Sequence, residues 1–206
     1  LTITFCRFFI AYRRALGFFA TSISGERNIM PVINFVTPCI LDHGAITKLG
    51  KTMAGLNITK GFVVTDPGIK QVGLLDKVTE NISGAYEVFA GTEPNPTEKQ
   101  VTEVTAMYKE SGCDGIIALG GGSSMDLAKA VGLMASHGGN LADYGATVGG
   151  SKKIGKIPPL IAIPTTAGTG SEVSVGMIII QNDGHKQTYA SPNLVPATAI
   201  CDPDLT

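Results

Sequence analysis

Five short apolar runs, over 33–37, 61–65, 85–89, 115–119 and 160–163, recur between stretches with helical spacing, and nothing else restricts the folds open to this chain so strongly. Most are continuous Val, Ile and Phe runs rather than strict alternations, the pattern of strands covered on both faces. The stretches between them read as helices. Over 43–56, Ile46, Leu49, Met53 and Leu56 share one helical face, and after Gly122 the same is true of Leu127, Ala130, Val131 and Met134. Thr97, with Gln100 three residues on, is a capping-box signature at the head of another helical stretch. Such alternation builds βαβ units around a parallel sheet, an α/β fold with helices on both faces, in which ligands collect at the carboxyl ends of the strands.

Beyond the last of these runs the pattern changes. The stretch EVSVGMIIIQNDGHKQTYAS predicts two strands joined around Asn182-Asp183-Gly184, an antiparallel hairpin inserted into the α/β pattern. ATAICDPDLT adds one more short strand. The Gly-, Lys- and Pro-rich stretch over 145–159 reads as a surface loop and not a linker, because the sheet pattern resumes immediately after it.

Composition excludes some partners. With 16 Lys and Arg against 17 Asp and Glu, the chain has no basic excess for a polyanion, and no basic cluster is interleaved with aromatics, so no nucleic-acid partner is expected. Cys6, Cys39, Cys113 and Cys201 are scattered and form no C-x-x-C pair, which suits a reducing, cytoplasmic setting. Residues 1–29 carry Arg7, Arg13 and Arg14 among Phe and Ile, with no acid before Glu26. They read as a non-domain extension upstream of a 30–206 domain, with an organellar presequence as the alternative. Arg13 and Arg14 interrupt any apolar span there, so no membrane partner is expected.

The chemistry is concentrated where the run over 115–119 meets Gly120, Gly121 and Gly122 and then a helix. A strand, a glycine turn and a helix N-terminus leave backbone N–H groups pointing outward and let a phosphate approach where Cβ atoms are missing. Ser123 and Ser124 can cap the helix or donate to phosphate oxygens, whereas Asp126 is better placed to orient a loop or meet another part of the ligand. A tight strand-to-helix connection is the plain alternative. A second cluster, Thr165, Thr166, Thr169 and Ser171 with Gly168 and Gly170, follows the run over 160–163 and suits a ribose or a nicotinamide amide. Asp66 closes the run over 61–65. There an acid accepts from both ribose hydroxyls and repels a 2′-phosphate, and a helix cap before Pro67-Gly68 is an equally open reading.

GGGSSMDLAKA (120–130), PTTAGTGSE (164–172), PNPT (94–97) and SPNLVPATAICDPDLT (191–206) together resemble the amino-terminal domain of the iron-dependent (group III) alcohol dehydrogenases, in order and spacing from about Met30 to Thr206. The resemblance implies a Rossmann-like, dehydroquinate synthase-like domain, NAD in preference to NADP, and hydride transfer between nicotinamide and a small primary alcohol or aldehyde. By that likeness Gly121, Gly122 and Ser123 hold the pyrophosphate with Asp126 beside them, Asp66 reads the adenosine ribose, and Pro94 and Asn95 border the adenine side. Thr165, Thr166 and Thr169 line the nicotinamide half, Lys186 stands on the hairpin, and Leu194 closes over it. Where family members often carry Asn shortly after S-E-V, this chain has Gly176.

The resemblance further implies a helical carboxyl-terminal domain whose Asp and His residues bind Fe2+ or Zn2+, and a homo-oligomeric full-length enzyme. Those ligands are expected outside this chain, since His43, His137 and His185 show no D-x-x-x-H or H-x-x-x-H spacing and read as ordinary surface residues. Catalytic residues are expected outside it too, so the chain alone is expected to be inactive. Glycerol dehydrogenase and dehydroquinate synthase share the GGG turn and the PTT start but do not usually continue as A-G-T-G-S-E. A relative of these, or a non-catalytic nucleotide-binding fragment, is the alternative.

Overall fold

A computed structural model describes residues 37–206, and the expectations for residues 1–29 and for most of the strand over 33–37 lie outside the described residues. The chain runs through β1 (Cys39–Leu41), a 3-10 turn (Ala45–Lys48) leading into α1 (Leu49–Gly55), β2 (Lys60–Val64), α2 (Pro67–Gln71), α3 (Leu74–Thr79) and β3 (Ala85–Phe89). It continues through α4 (Glu98–Ser111), β4 (Gly115–Gly120), α5 (Gly122–His137), β5 (Leu160–Pro164), β6 (Gly176–Ile180), β7 (Lys186–Ala190) and β8 (Thr198–Cys201). Among the described residues six strands form one parallel sheet in the order β1-β8-β5-β4-β2-β3, while β6 and β7 pair antiparallel as a separate hairpin. The expected architecture is therefore observed.

Successive side chains of a strand point to opposite faces, and both faces here are buried, which is why the strands read as continuous apolar runs. Phe62, Val64, Ile116, Ala118, Leu160 and Ala162 pack with α4, α5 and the hairpin. Val63, Ile117, Leu119, Ile161 and Ile163 pack with α1 and α3 on the other side. Helix α5 is buried almost all round, because the hairpin covers what would otherwise be its solvent face: Met125, Ala128 and Leu133 are as inaccessible as Leu127 and Val131.

Several details differ from the sequence reading. The first described strand is β1, at the edge of the sheet, and Thr37 precedes it in a bend. Thr97 Oγ1 does accept from Gln100 N at 3.3 Å, but the Gln100 side chain does not return to Thr97. It bonds Gly91 O (3.1 Å) and Glu93 N (3.3 Å) instead, and so holds the loop that follows β3. His137 is not a surface histidine; half-buried, its Nε2 accepts from Gly155 N at 2.9 Å. Cys39 and Cys201 are far apart in sequence yet bring their Sγ atoms within 3.4 Å on neighbouring strands. Among the described residues no helix is long and apolar enough to cross a membrane.

The end of β8 is tied to the turn that follows β1 by one carboxylate. Asp202, 2% exposed, accepts from Gly44 N (3.1 Å), Ile46 N (3.0 Å) and Asp204 N (3.0 Å). Asp202→Ala removes the acceptor for all three amides, and because a buried orphan donor is more costly than an average hydrogen bond is favourable, a loss of about 2–4 kcal/mol is expected. Urea unfolding measures it, and a loss below about 1 kcal/mol would mean that water replaces the carboxylate.

Candidate functional site

Strand order reverses at β2: the chain passes outward from β2 to β3, then crosses back to place β4 on the other side of β2. Two adjacent loops leave such a point in opposite directions, which opens a crevice at the carboxyl ends of the strands. A cleft of about 780 Å³ lies there, lined among others by Asp66, Thr92, Pro94, Gly121, Ser124 and Thr166. Beside it, across Gly122 and Ser123, is a second cavity of about 310 Å³ lined by Asn95, Asp126, Thr169, Ser171, Ile178 and Lys186.

The glycine turn forms the ridge between the two. Gly120 ends β4 at φ +137°, and Gly121 caps α5 with an extended backbone and no side chain to offer, so the amides of the first helical turn have no side-chain cap. Neither serine acts as that cap. Ser123 Oγ accepts from Asn95 N at 3.2 Å, and Ser124 is 1% exposed beneath Gly120.

The hydroxyl cluster after β5 closes over this ridge. A Cβ on Gly121 would stand 3.2 Å from Thr166 Oγ1, and one on Gly122 would stand 3.3 Å from Thr169 Cγ2 and 3.4 Å from Ser171 Oγ. Two clusters that are 40-odd residues apart along the chain thus form one surface, with exposed amides on one side and hydroxyls on the other. At the far wall Asp66 Oδ1 caps α2 by accepting from Ile69 N (3.1 Å), while its Oδ2 faces Gly120. The cap reading is met, and Asp66 still lines the larger cleft.

Asn95 is held in a left-handed conformation, φ +57°, which turns the chain across Ser123. Its Oδ1 accepts from Lys186 Nζ at 2.9 Å. Asn95 therefore lies with Lys186 and Thr169 in the smaller cavity, whereas Pro94 borders the larger one with Asp66. Leu194 lines neither cavity; it is fully buried in the core with Tyr189 and Met177. Thr165 lines the larger cleft, joined to the glycine turn through its N–H to Gly120 O (3.0 Å).

Asp126 orients the walls, as the sequence reading allowed. Its Oδ2 accepts from Ile178 N at 3.0 Å and its Oδ1 from Ser171 Oγ at 3.5 Å. Burial raises its carboxyl above the usual range, against the opposing pull of the Ile178 amide, Lys129 and Ser171.

Two features escaped the sequence reading. Lys129 is fully buried, and its ammonium donates to Ser171 O (2.8 Å), Ser174 O (2.9 Å) and Gly176 O (2.8 Å). Burial pushes it down to about 8, opposed by the Asp126 and Glu172 carboxylates, while the three carbonyl acceptors match the three protons of the ammonium form. Its place in the apolar i±4 row with Met125 and Leu133 was the available signal. Thr92 was the other. It lines the larger cleft at 2% exposure, and its hydroxyl has no hydrogen-bond partner among the described residues.

These observations suit a phosphate-bearing ligand: a ridge where Cβ atoms are absent, uncapped helix amides, and a buried hydroxyl without a partner at the cleft wall. For a metal the described residues do not fit, since among them no group of three or more His, Cys, Asp and Glu side chains could hold an ion.

Known proteins give an independent line. Residues 37–203 match the family described as Iron-containing alcohol dehydrogenase. The chain is 44% identical over 179 residues to a 4-hydroxybutyrate dehydrogenase from Cupriavidus necator, covering 86% of this chain and 47% of that protein. It is 33% identical over 167 residues to lactaldehyde reductase from Escherichia coli K12, covering 79% and 44%. Among solved structures, a sulfoacetaldehyde reductase from Bifidobacterium kashiwanohense in complex with NAD+ superposes with a TM-score of 0.75 at 28% identity, covering 87% of this chain and 48% of that one. A 1,3-propanediol oxidoreductase superposes with a TM-score of 0.78 at 30% identity, covering 85% and 47%. The chain thus spans about half the length of the curated relatives it matches.

Proposed function

The chain belongs to the iron-containing alcohol dehydrogenase family, and on that premise we propose that residues 37–206 bind NAD for an enzyme that interconverts a small primary alcohol and its aldehyde. The observation that carries this reading is the packing of the glycine turn against Thr166 and Thr169 at the strand-order reversal, with the first amides of α5 uncapped. When bound, the nicotinamide ring accepts or delivers a hydride. The chain's own residues bind and orient it. Gly121, Gly122 and Ser123 hold the diphosphate, where the amides and the dipole of α5 favour negative charge. Asp66 accepts from the adenosine ribose hydroxyls at the edge of the larger cleft, with Pro94 beside it. Thr165 and Thr166, on the larger cleft, and Thr169, on the smaller, face the nicotinamide half, and Lys186, held by Asn95, borders Thr169 in the smaller one.

Substrate class is read from the relatives, which are named for oxidation or reduction of small alcohols and aldehydes. No step through a metal is assigned to these residues, because they offer no ligand group for one.

Titrating NADH into the chain and following nicotinamide fluorescence tests the reading. Saturable binding is expected, with NADH preferred over NADPH by ~10-fold or more, equivalent to about 1.4 kcal/mol or above. A titration with no saturation by either nucleotide would end the proposal.

A further inference from the structure

Lys129 is a buried cation with no carboxylate in salt-bridge contact among the described residues. Contacts between oppositely ionisable side chains among the described residues join His43 with Asp204, Lys60 with Glu87, and His185 with Asp183, and none involves Lys129. An ammonium has three protons, and here each is taken by a main-chain carbonyl: Ser171, Ser174 and Gly176, at 2.8–2.9 Å. Taking a charge out of water is costly unless every bond it can make is made, so this arrangement persists only with the carbonyls in place.

All three carbonyls belong to one short stretch, residues 171–176, which runs from the last residue of the hydroxyl cluster to the first residue of β6 and has little else to position it. Val173 and Val175 are 40% and 39% exposed, so the stretch buries little apolar surface. Its own hydrogen bonds, Val173 N to Gly170 O (3.1 Å) and Gly176 N to Ser174 Oγ (3.0 Å), shape it without placing it against the rest of the molecule. The hairpin takes hold only at Val175, whose carbonyl accepts from Ser191 N at 3.0 Å. The other anchors are on α5: upstream of Val175, Lys129 takes the Ser171 and Ser174 carbonyls and Asp126 takes Ser171 Oγ, and at the start of β6 Lys129 takes Gly176 O and Asp126 takes Ile178 N. The same stretch sets Thr169 and Ser171 over Gly122 as a wall of the smaller cavity.

We propose that Lys129 is a positioning residue for the nicotinamide half of the cofactor site, its ammonium fixing the height of residues 169–176 above α5 without touching the ligand. The inference rests on the NAD reading of the two clefts and adds to it a residue that no cavity-lining argument would select, since Lys129 is 0% exposed.

The role makes a specific demand: loss of the ammonium should affect the nicotinamide side and spare the adenosine side. The test uses the full chain as wild type, Lys129→Met, which keeps the length and removes the donors, and Lys129→Gln, which retains two donors on a shorter stem. Each is titrated with NADH and with ADP, which keeps the adenosine and diphosphate but lacks the nicotinamide riboside, and each is checked by circular dichroism. Lys129→Met is expected to bind ADP within ~2-fold of wild type and NADH ~10-fold or more weaker, with Lys129→Gln between. If Lys129→Met does not fold, the NADH-to-ADP comparison is made on Lys129→Gln. Equal weakening of both ligands, or of neither, overturns the proposal. So does failure of both variants to fold, since the ammonium would then hold the whole domain rather than one wall. Wild-type chain that binds neither nucleotide instead removes the NAD reading itself, before the variants are compared.

Discussion

Gly120→Ala is expected to destabilise the chain by about 2–6 kcal/mol and to abolish tight nucleotide binding. Two costs act at one position. Gly120 has φ +137°, a conformation that an L-residue adopts only with strain of about 1–3 kcal/mol. Its missing Cβ also marks a point of close approach: an added methyl would stand 2.7 Å from Ser124 Oγ, 3.1 Å from Ser124 Cβ and 3.0 Å from Asp66 Oδ2. Ser124 cannot swing away, because it is 1% exposed beneath the turn, so overpacking adds a further 1–3 kcal/mol or so. Gly170 is the control. It also has positive φ, +66°, but nothing lies within 4 Å of its Cβ position, so Gly170→Ala should lose only the strain, about 1–2 kcal/mol. Urea unfolding at 25 °C separates the two. Equal losses would show that the turn has room at Gly120, and that the ridge between the clefts is looser than its geometry implies.

The difference between those glycines also marks where sequence reading stops. That a glycine turn follows an apolar strand is visible from Ile116 to Gly122, because parallel strands buried on both faces stand out as continuous runs and the turn punctuates one of them. Strands β2, β4 and β5 lie within a residue of the runs that announced them. Strand β1 was missed for the opposite reason: it has three residues, two of them exposed at a sheet edge, too few to show any period. Within the site, the glycine ridge and the hydroxyl cluster were legible as local motifs, and their meeting was not. Gly122 lies beneath Thr169 only because β4 and β5 are neighbours, and Asn95 meets Lys186 across 91 positions of chain. Lys129 was illegible in a stronger sense. A lysine in an amphipathic pattern is ordinarily read as a solvated residue, and the carbonyls that make its burial tolerable are 42 to 47 residues downstream. Leu194, set over the nicotinamide half by the family likeness alone, is a core residue that lines neither cavity, a burial that no local pattern around it announces.

Asp66→Asn should leave stability within about 0.5 kcal/mol of wild type and reduce the preference for NADH over NADPH by ~10–100-fold. The two oxygens of Asp66 are engaged differently, and the substitution takes advantage of that. Oδ1 caps α2 through Ile69 N at 3.1 Å, and Asn caps a helix about as well as Asp, so the fold should not register the change. Oδ2 faces the glycine turn, where under the NAD reading it accepts from the ribose and its charge opposes a 2′-phosphate. Two like charges about 4 Å apart near a protein surface repel by up to about 4 kcal/mol, and the half-exposed position of Asp66 reduces this to about 1.5–3 kcal/mol, the origin of the expected factor. Asp66→Ala completes the comparison. It loses the charge and the cap together, so it should match Asp66→Asn in nucleotide preference but be less stable by about 1 kcal/mol. Binding titrations with both nucleotides, beside urea unfolding of both variants, distinguish the roles. If Asp66→Asn keeps the wild-type preference while Asp66→Ala is merely less stable, the carboxylate is a helix cap and nothing more, and discrimination between the nucleotides must come from elsewhere in the cleft.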